Sequence, residues 1–318
     1  GWEIPEREAT PEHVYFNRRK FMKTLGIAGA GALLLACGDT AQERKAYAAS
    51  MAQQTATSPL ASLYPAKRND KYKLDRKLTD EADVEKYNNF YEFTEQKDGV
   101  WKLVDKYQTR PWQMEITGLV RKPWKGELDD LIKMMPLEER LYRHRCVEAW
   151  AMAVPWTGFQ FSKLIDMVEP LPSAQYVKFV SFNKPDEAPG LKNATWYPWP
   201  YFEALTMDEA MNELTFGVTG IYGHELPKQN GAPFRMALPW KYGYKSPKAI
   251  VHIEFTDTQP RAFWNVIAPD EYSWASNVNP NIPHPRWSQA TERLIDTGDR
   301  VPTQMYNGYG EFVAGLYK

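Results

Sequence analysis

Cysteine is scarce in this sequence, and neither sign of charge predominates. Only two cysteines, Cys37 and Cys146, occur among 318 residues, so a disulfide framework is not what holds the chain together. Two cysteines so far apart also exclude a Cys-x-x-Cys-His haem motif. No glycine-rich loop follows a predicted strand, so neither a Rossmann nor a P-loop nucleotide site is expected. The formal net charge is −1, which gives no reason to expect nucleic acid as a partner.

The rest of the composition is ordinary for a globular protein with many turns. Hydrophobic residues make up 43% of the chain and charged residues 25%, so a sizeable core can form. Proline (24), glycine (19), tyrosine (18) and tryptophan (12) are frequent. This mixture favours short strands and an aromatic-rich core over a helical bundle.

The N-terminal residues have the layout of an export signal. Residues 17–23 read Asn-Arg-Arg-Lys-Phe-Met-Lys, and residues 25–37 carry no charge. That apolar stretch is too short to cross a bilayer. The pair Arg18-Arg19 resembles a twin-arginine signal, with Asn17 where Ser or Thr is more usual. We therefore expect residues 1–48 to be a twin-arginine signal segment and the protein to be periplasmic; the alternative is a buried amphipathic helix with a basic end.

Two processing sites at the end of this segment remain open. Leu-Leu-Ala-Cys at 34–37 resembles a lipoprotein box, in which Cys37 would be lipidated and would tether the protein. Ala-Tyr-Ala at 46–48 is an alternative cleavage site for a soluble product, although charged residues precede it at 43–45.

The remaining chain divides into a linker or extended arm, residues 49–86, and one domain, residues 87–318. In the domain, Trp112, Met114 and Ile116 alternate with polar residues, a pattern typical of a half-buried strand. Further patterns predict short helices at 127–135 and 161–168, and strands at 138–145, 176–182 and 249–256. The expected fold class is α+β with mixed sheets.

The segment around Cys146 contains the strongest chemical signal. It reads Tyr-Arg-His-Arg-Cys-Val-Glu-Ala-Trp at 142–150. A thiolate is a soft metal ligand and a nucleophile. We expect Arg143, His144 and Arg145 to lower the pKa of the thiol. From these residues alone, Cys146 could be a metal ligand, a nucleophile or a buried structural cysteine.

Five segments together resemble a known family. Arg-Cys-Val-Glu-Ala-Trp at 145–150 and Val-Pro-Trp-Thr-Gly at 154–158 resemble the molybdenum-ligand region of the sulfite-oxidase-type molybdopterin domain family. The segments at 87–93, 239–245 and 284–293 resemble its protein-methionine-sulfoxide reductase branch in particular. The resemblance extends from about residue 80 to the C-terminus.

The resemblance implies a sulfite-oxidase-type molybdopterin-binding fold and a molybdopterin cofactor, with Cys146 as the catalytic metal ligand. The residues that it implies for cofactor binding are Asn88, Tyr91, Glu92, Ser181, Asn230, Arg235, Ser246, Pro247 and Lys248. Ser181 replaces a Thr of the family, and Ser246 replaces a usual Gly. Arg235 and Lys248 suit a phosphate dianion, and Lys241 and Lys245 could add positive field.

The implied activity is the reduction of methionine sulfoxide residues in oxidised periplasmic proteins. Molybdenum would accept the oxygen atom and would then be re-reduced by single electrons. Because the chain has no haem motif of its own, the resemblance implies a membrane haem b subunit that oxidises quinols. Two alternatives stay open: a sulfite dehydrogenase-like molybdoenzyme and a non-catalytic, lipid-anchored binding protein. Aromatic residues near the key segments favour a sulfoxide, whereas Arg145 and Lys241 leave sulfite possible; the aromatic residues are Trp150, Trp156, Tyr242, Tyr244 and Trp287.

Overall fold

A computed structural model of the protein describes residues 57–317. These residues belong to one unit built around two mixed sheets. Its strands are β1 Gln113–Gly118, β2 Trp124–Glu127, β3 Glu138–Arg145, β4 Trp150–Gln160, β5 Tyr176–Ser181, β6 Phe202–Thr206, β7 Phe216–Ile221, β8 His224–Glu225, β9 Arg235–Ala237, β10 Ile250–Thr256, β11 Thr291–Leu294 and β12 Arg300–Pro302.

The first sheet has five strands in the order β2-β1-β10-β5-β6. Strands β1 and β10 are parallel, and the other neighbours are antiparallel. The alternation predicted around β1 is present, because Trp112, Met114 and Ile116 are buried while Gln113 is exposed. At β1, one face of this sheet therefore packs on the core and the other is more exposed.

The second sheet has seven strands. Its main order is β12-β11-β4-β7-β8, with β3 paired to β4 and β9 paired to β7. Strand β4 is buried along nearly its whole length. It forms an antiparallel hairpin with β3, in which Arg145 is opposite Ala151. This hairpin places residues 146–149 at its turn.

The helices are short and lie between the strands. They are α1 Glu81–Lys86, α2 Leu128–Lys133, α3 Ser162–Val168, α4 Pro189–Asn193, α5 Met207–Met211, α6 Phe263–Ile267 and α7 Gly310–Val313. Single 3-10 turns occupy Ala61–Leu63, Val100–Lys102, Lys228–Asn230, Gly243–Lys245, Met305–Gly308 and Ala314–Tyr317. Between residues 57 and 317, no helix has the length and apolar character needed to span a bilayer.

Several local predictions are confirmed. The helices predicted at 127–135 and 161–168 are α2 and α3. The strands predicted at 138–145, 176–182 and 249–256 are β3, β5 and β10. The parallel and antiparallel pairs within each sheet also confirm the α+β class with mixed sheets.

The segment predicted as a linker or arm, residues 49–86, is described from residue 57 onward and contacts the seven-stranded sheet. Tyr64 is buried, and its hydroxyl donates to Thr219 Oγ1 of β7 at 2.7 Å. The N–H of Asn69 donates to the carbonyl of Glu139 in β3 at 2.8 Å. The predicted export signal, Cys37 and the two candidate processing sites lie outside the described residues.

Candidate functional site

Cys146 sits in the turn that joins β3 to β4. Its N–H donates to the Trp150 carbonyl at 2.9 Å, and its own carbonyl accepts from the Ala149 N–H at 3.0 Å. Ala149 adopts a positive φ of 62°, the left-handed conformation that closes this turn. The Cys146 side chain is 4% exposed. The hairpin therefore fixes the sulfur at the wall of a cavity.

This cavity encloses an empty volume of about 870 Å³, part of which is open to solvent. Concave sites with a largely apolar, aromatic wall and a few polar groups are typical of organic cofactor or ligand binding. Residues 87–92, the β3–β4 turn, residues 243–244 and residues 246–248 supply much of its lining. The aromatic side chains of its wall are Tyr87, Phe90, Tyr91, Trp150, Trp156, Tyr201, Tyr244, Trp264 and Tyr272.

Polar groups surround the sulfur of Cys146. Asn89 Nδ2 lies 3.2 Å from Sγ, and the Glu148 N–H donates to Sγ at 3.4 Å. The Glu148 carboxylate is 3.6 Å from Sγ and forms an ion pair with Lys97 Nζ at 3.0 Å. Burial raises the pKa of the Cys146 thiol to about 12, and the negative charge of Glu148 contributes to the rise.

The prediction that Arg143, His144 and Arg145 lower the pKa of this thiol is only partly right, because Arg145 alone of the three is among the groups that lower it and the net shift is upward. Side chains alternate along β3, so Arg143 and Arg145 point away from the cavity, and only His144 lines it. Arg143 pairs with Asp75, and Arg145 pairs with Glu292 at 3.0 Å. The effect of burial on Cys146 outweighs the lowering by Lys97 and Arg145.

His144 is a neutral group of the cavity. Burial holds its pKa well below the ordinary value, and the charges of Arg235 and Lys248 lower it further. The ring is in close contact with the chain at Gly243, where an added Cβ would lie 2.6 Å from two of its ring atoms. A glycine at this position therefore leaves the space that His144 occupies.

A hydrogen-bonded network joins Asn88, Asn230 and Arg235. Asn230 Nδ2 donates to Asn88 Oδ1 at 3.1 Å, and Arg235 Nη1 donates to the Asn230 carbonyl at 2.8 Å. Two buried atoms of this network, Arg235 Nη2 and Asn230 Oδ1, have no hydrogen-bond partner within the described part of the chain. Burial lowers the pKa of Arg235 to about 9. A buried guanidinium with an unused donor favours an anionic ligand.

Hydrogen bonds from Leu238, Met236 and Ser181 help to hold the segment from Ser246 to Lys248. Ser246 Oγ accepts from the Leu238 N–H at 3.2 Å, and the Pro247 carbonyl accepts from the Met236 N–H at 3.0 Å. The Lys248 carbonyl accepts from the Ser181 hydroxyl at 2.7 Å. Burial lowers the pKa of Lys248 and raises that of Glu92, whose charges act on each other.

The structure brings nine of the ten predicted site residues to the cavity wall. They are Asn88, Tyr91, Glu92, Cys146, Asn230, Arg235, Ser246, Pro247 and Lys248. The tenth, Ser181, is not among the residues that line the cavity and instead holds the Lys248 carbonyl.

Three cavity residues and one neighbour were not predicted as site residues. Asn89 and Glu148 lie inside the segments that carried the resemblance, so position next to Asn88 and Cys146 was the available signal. His144 was considered only for its effect on the thiol. Lys97 had no local signal, because it reaches Glu148 across a loop.

The expectation that Lys241 and Lys245 add positive field to the site is wrong. Lys241 is buried and paired with Glu209, and Lys245 is buried and paired with Glu203. Neither lysine lines the cavity. Each charge is neutralised locally, as buried charges generally must be.

The donor set of the cavity fits a molybdopterin cofactor. A buried thiol offers one soft metal ligand. Arg235 and Lys248 offer a planar fork and a point charge for a phosphate. The unpartnered atoms Arg235 Nη2 and Asn230 Oδ1 offer a donor and an acceptor to a polar ring.

Comparison with known proteins agrees with this geometry. Residues 101–264 match the family described as the oxidoreductase molybdopterin binding domain. The chain is 45% identical over 322 residues to the protein-methionine-sulfoxide reductase catalytic subunit MsrP of Burkholderia mallei (strain ATCC 23344), with 100% of this chain and 94% of that protein covered. It is 44% identical over 326 residues, with the same coverage, to the protein of that name from Ralstonia nicotianae (strain ATCC BAA-1114 / GMI1000).

Among solved structures, the sulfane dehydrogenase SoxCD from Paracoccus pantotrophus aligns with a TM-score of 0.42 and 12% identity, covering 74% of this chain and 59% of that chain. The sequence matches define the class: the chain is a molybdopterin-dependent oxidoreductase with the sulfite-oxidase-type domain. Within that class, it belongs to the family of protein-methionine-sulfoxide reductase catalytic subunits.

Proposed function

We propose that the protein reduces methionine sulfoxide residues in oxidised proteins, with Cys146 as the protein ligand to molybdenum. Asn88, Asn230 and Arg235 would hold the pterin, and Arg235 and Lys248 would bind its phosphate. When bound, the cofactor supplies two-electron oxygen-atom transfer. Reduction of the sulfoxide consumes two electrons and two protons, and it yields the thioether and water.

The observation that carries the substrate assignment is the character of the cavity beside Cys146. Its wall there includes Tyr87, Trp150 and Tyr272, which can contact a neutral sulfoxide and an apolar thioether arm. The nearby Lys97 is neutralised by Glu148. Such a wall suits a neutral substrate.

Sulfite is the competing substrate, and it requires positive groups that converge on a small dianion. The sequence left this alternative open because of Arg145 and Lys241. In the described structure both are buried, paired with Glu292 and Glu209, and outside the cavity lining. The positive charges of Arg145 and Lys241 are thus neutralised by buried glutamates and do not face a ligand in the cavity.

A comparison of two specificity constants tests the assignment. The purified holoenzyme is given oxidised protein with an artificial electron donor, or sulfite with an artificial acceptor. We expect kcat/KM for protein-bound methionine sulfoxide to exceed kcat/KM for sulfite by at least about 100-fold, the scale on which a site lacking matched polar partners rejects a ligand. A larger value for sulfite would refute the reductase assignment. Molybdenum analysis of the same sample separates both activities from a non-catalytic binding role.

We propose further that a membrane haem b subunit, itself reduced by quinols, supplies the electrons. The support is the family resemblance and the lack of a haem motif in this sequence. The haem absorbance of reduced membranes should show oxidation when holoenzyme and oxidised protein are added together. Membranes that stay reduced under these conditions would refute this route.

The proposed location is the periplasm, on the basis of Arg18-Arg19 and the apolar stretch that follows. Mass spectrometry of the mature N-terminus distinguishes the two processing sites. A diacylglyceryl group on Cys37, followed by Gly38, would identify a lipoprotein, whereas a chain beginning at Ala49 would identify a soluble product.

A further inference from the structure

A second cluster of ligating side chains lies outside the cofactor cavity. Glu81 and Glu85 are one turn apart on α1, so their carboxylates share a face of the helix. His224 on β8 faces them. One potential ligand atom from each of the three residues lies within 4.8 Å of the others. Glu85 is 1% exposed and His224 is 7% exposed.

The hydrogen bond at His224 Nδ1 fixes the tautomer of the imidazole ring. His224 Nδ1 lies 2.7 Å from the backbone carbonyl of Glu225. A carbonyl only accepts, so Nδ1 must carry the proton. In the neutral ring, Nε2 then carries a lone pair and no proton. Nε2 contacts the Glu81 carboxylate, which is also a hydrogen-bond acceptor. Two acceptors in contact require a cation between them, either a proton or a metal ion.

We infer that Glu81, Glu85 and His224 bind a divalent transition-metal ion, Zn²⁺ or Mn²⁺, at a site separate from the molybdenum cofactor. A histidine that ligates a metal commonly donates its other N–H to a carbonyl, as His224 does. Imidazole and carboxylate together suit these metals better than Mg²⁺ or Ca²⁺. The three candidate ligand atoms lie within 4.8 Å of one another, whereas tetrahedral ligands with bonds of about 2.0–2.1 Å lie ~3.4 Å apart, so side-chain movements of about 1 Å would complete the shell.

The position of the site gives the metal a structural role. Helix α1 is too short to be stable without tertiary contacts. The Glu85 carbonyl accepts from Asn88 Nδ2 at 2.7 Å, and the Val84 carbonyl accepts from Asn230 Nδ2 at 3.0 Å. Asn88 and Asn230 both line the cofactor cavity. A metal that joins α1 to β8 would hold these carbonyls in place, so Glu81, Glu85 and His224 are positioning residues.

The test is elemental analysis of the full-length holoenzyme, in which zinc, manganese and molybdenum are measured separately. We expect about one equivalent of zinc or manganese in the wild type. Glu85→Gln and His224→Gln should lose it, because each removes a ligand at nearly constant volume. The matched control is His252→Gln, since His252 lies on β10 and bonds Thr117 Oγ1 at 2.7 Å. It should keep the metal.

A second measurement needs no variant. Chelator-treated wild-type protein is titrated with Zn²⁺, and we expect saturable binding and a rise in the melting temperature. If the purified protein holds neither metal and Zn²⁺ does not raise its melting temperature, the cluster is an imidazolium–carboxylate pair and the inference is overturned. Equal zinc content in the wild type and in folded Glu85→Gln and His224→Gln proteins would overturn it as well.

Discussion

At the scale of single residues, side-chain direction on β3 decides which groups reach the reaction centre. Three basic residues precede Cys146, but the alternation of a strand sends only His144 to the cavity. Arg145 is fully buried on the other side and bonds Glu292, Gln289 and Thr303. The segment thus places one neutral ring and one thiol at the cavity. Its two arginines bond residues of other segments of the same chain, outside the cavity.

The first prediction concerns the thiol itself. Cys146→Ser replaces a soft ligand with a harder and weaker one at nearly constant volume. We expect kcat to fall by at least about 100-fold. Mutation of residues that merely hydrogen-bond to metal ligands commonly lowers metal affinity or activity about 10–100-fold, and loss of a ligand should have a larger effect. Circular dichroism should show an unchanged fold, and X-ray absorption should show one sulfur ligand fewer at molybdenum. Wild-type activity in this variant would exclude Cys146 as the ligand.

The second prediction concerns Arg235. Arg235→Lys keeps the charge but removes the planar fork, including the buried Nη2 that lacks a partner in the described structure. A hydrogen bond to a charged group contributes about 1.5–3 kcal/mol, so cofactor affinity should fall about 10–100-fold. Molybdenum retained after gel filtration measures this loss. The exposed Arg300 of β12 provides the control Arg300→Lys, and full retention by Arg235→Lys would contradict the assigned role.

The sequence could predict these site residues only where short segments resemble the family. Cys146, Asn88 and Arg235 lie in such segments, and the structure places all three at one cavity. The partners of Lys241 and Arg145 could not be predicted, because Glu209 and Glu292 are far away in the chain. A lysine in a basic-looking loop has the same local pattern whether its charge faces a ligand or a buried glutamate.

At the scale of elements, the alternation of buried and exposed residues determines which strands the sequence can predict. Strand β1 alternates, because one face of its sheet is buried, and that alternation predicted it. Strand β4 is buried on both faces and contains Pro155, so it has neither alternation nor an uninterrupted apolar run. Strand β7 is buried at every residue. The centre of the seven-stranded sheet is therefore the part with the weakest local signal.

The third prediction tests the turn between Asn230 and β9. Gly231 has a φ of 98°, and a Cβ there would lie 2.7 Å from Lys248 side-chain carbons. Gly231→Ala should cost about 1–2 kcal/mol for the left-handed backbone and a further ~1–3 kcal/mol for crowding. It should also lower molybdenum retention, because Lys248 must move.

Gly298 is the matched control for this turn. Its φ is 76°, but an added Cβ would meet nothing within 4 Å. Gly298→Ala therefore carries the backbone cost without the crowding. The difference between the two free energies of unfolding, measured in denaturant, isolates the contact with Lys248. Equal destabilisation by the two substitutions would show that Gly231 serves only its backbone angle.

At the scale of the whole molecule, the cavity exists only in the folded chain. Its lining extends from Tyr87 to Tyr272 in sequence and draws on strands β3, β4 and β9 of the seven-stranded sheet and on several loops. A cofactor enclosed by such distant segments must bind during or after folding. If the cofactor is inserted in the cytoplasm, the protein must then cross the membrane already folded. The twin-arginine export that we propose from Arg18-Arg19 would satisfy that requirement.

The fourth prediction tests the proposed export route. The double variant Arg18→Lys, Arg19→Lys keeps the charge of the segment but removes the paired guanidinium groups. We expect the protein to accumulate in the cytoplasm, folded, loaded with molybdenum and unprocessed, and to be nearly absent from the periplasmic fraction. The control Lys20→Arg, Lys23→Arg also keeps the charge but leaves the pair intact, so it should be exported normally. Cell fractionation with molybdenum analysis of each fraction measures both, and normal delivery of the Arg18, Arg19 variant would exclude the twin-arginine route.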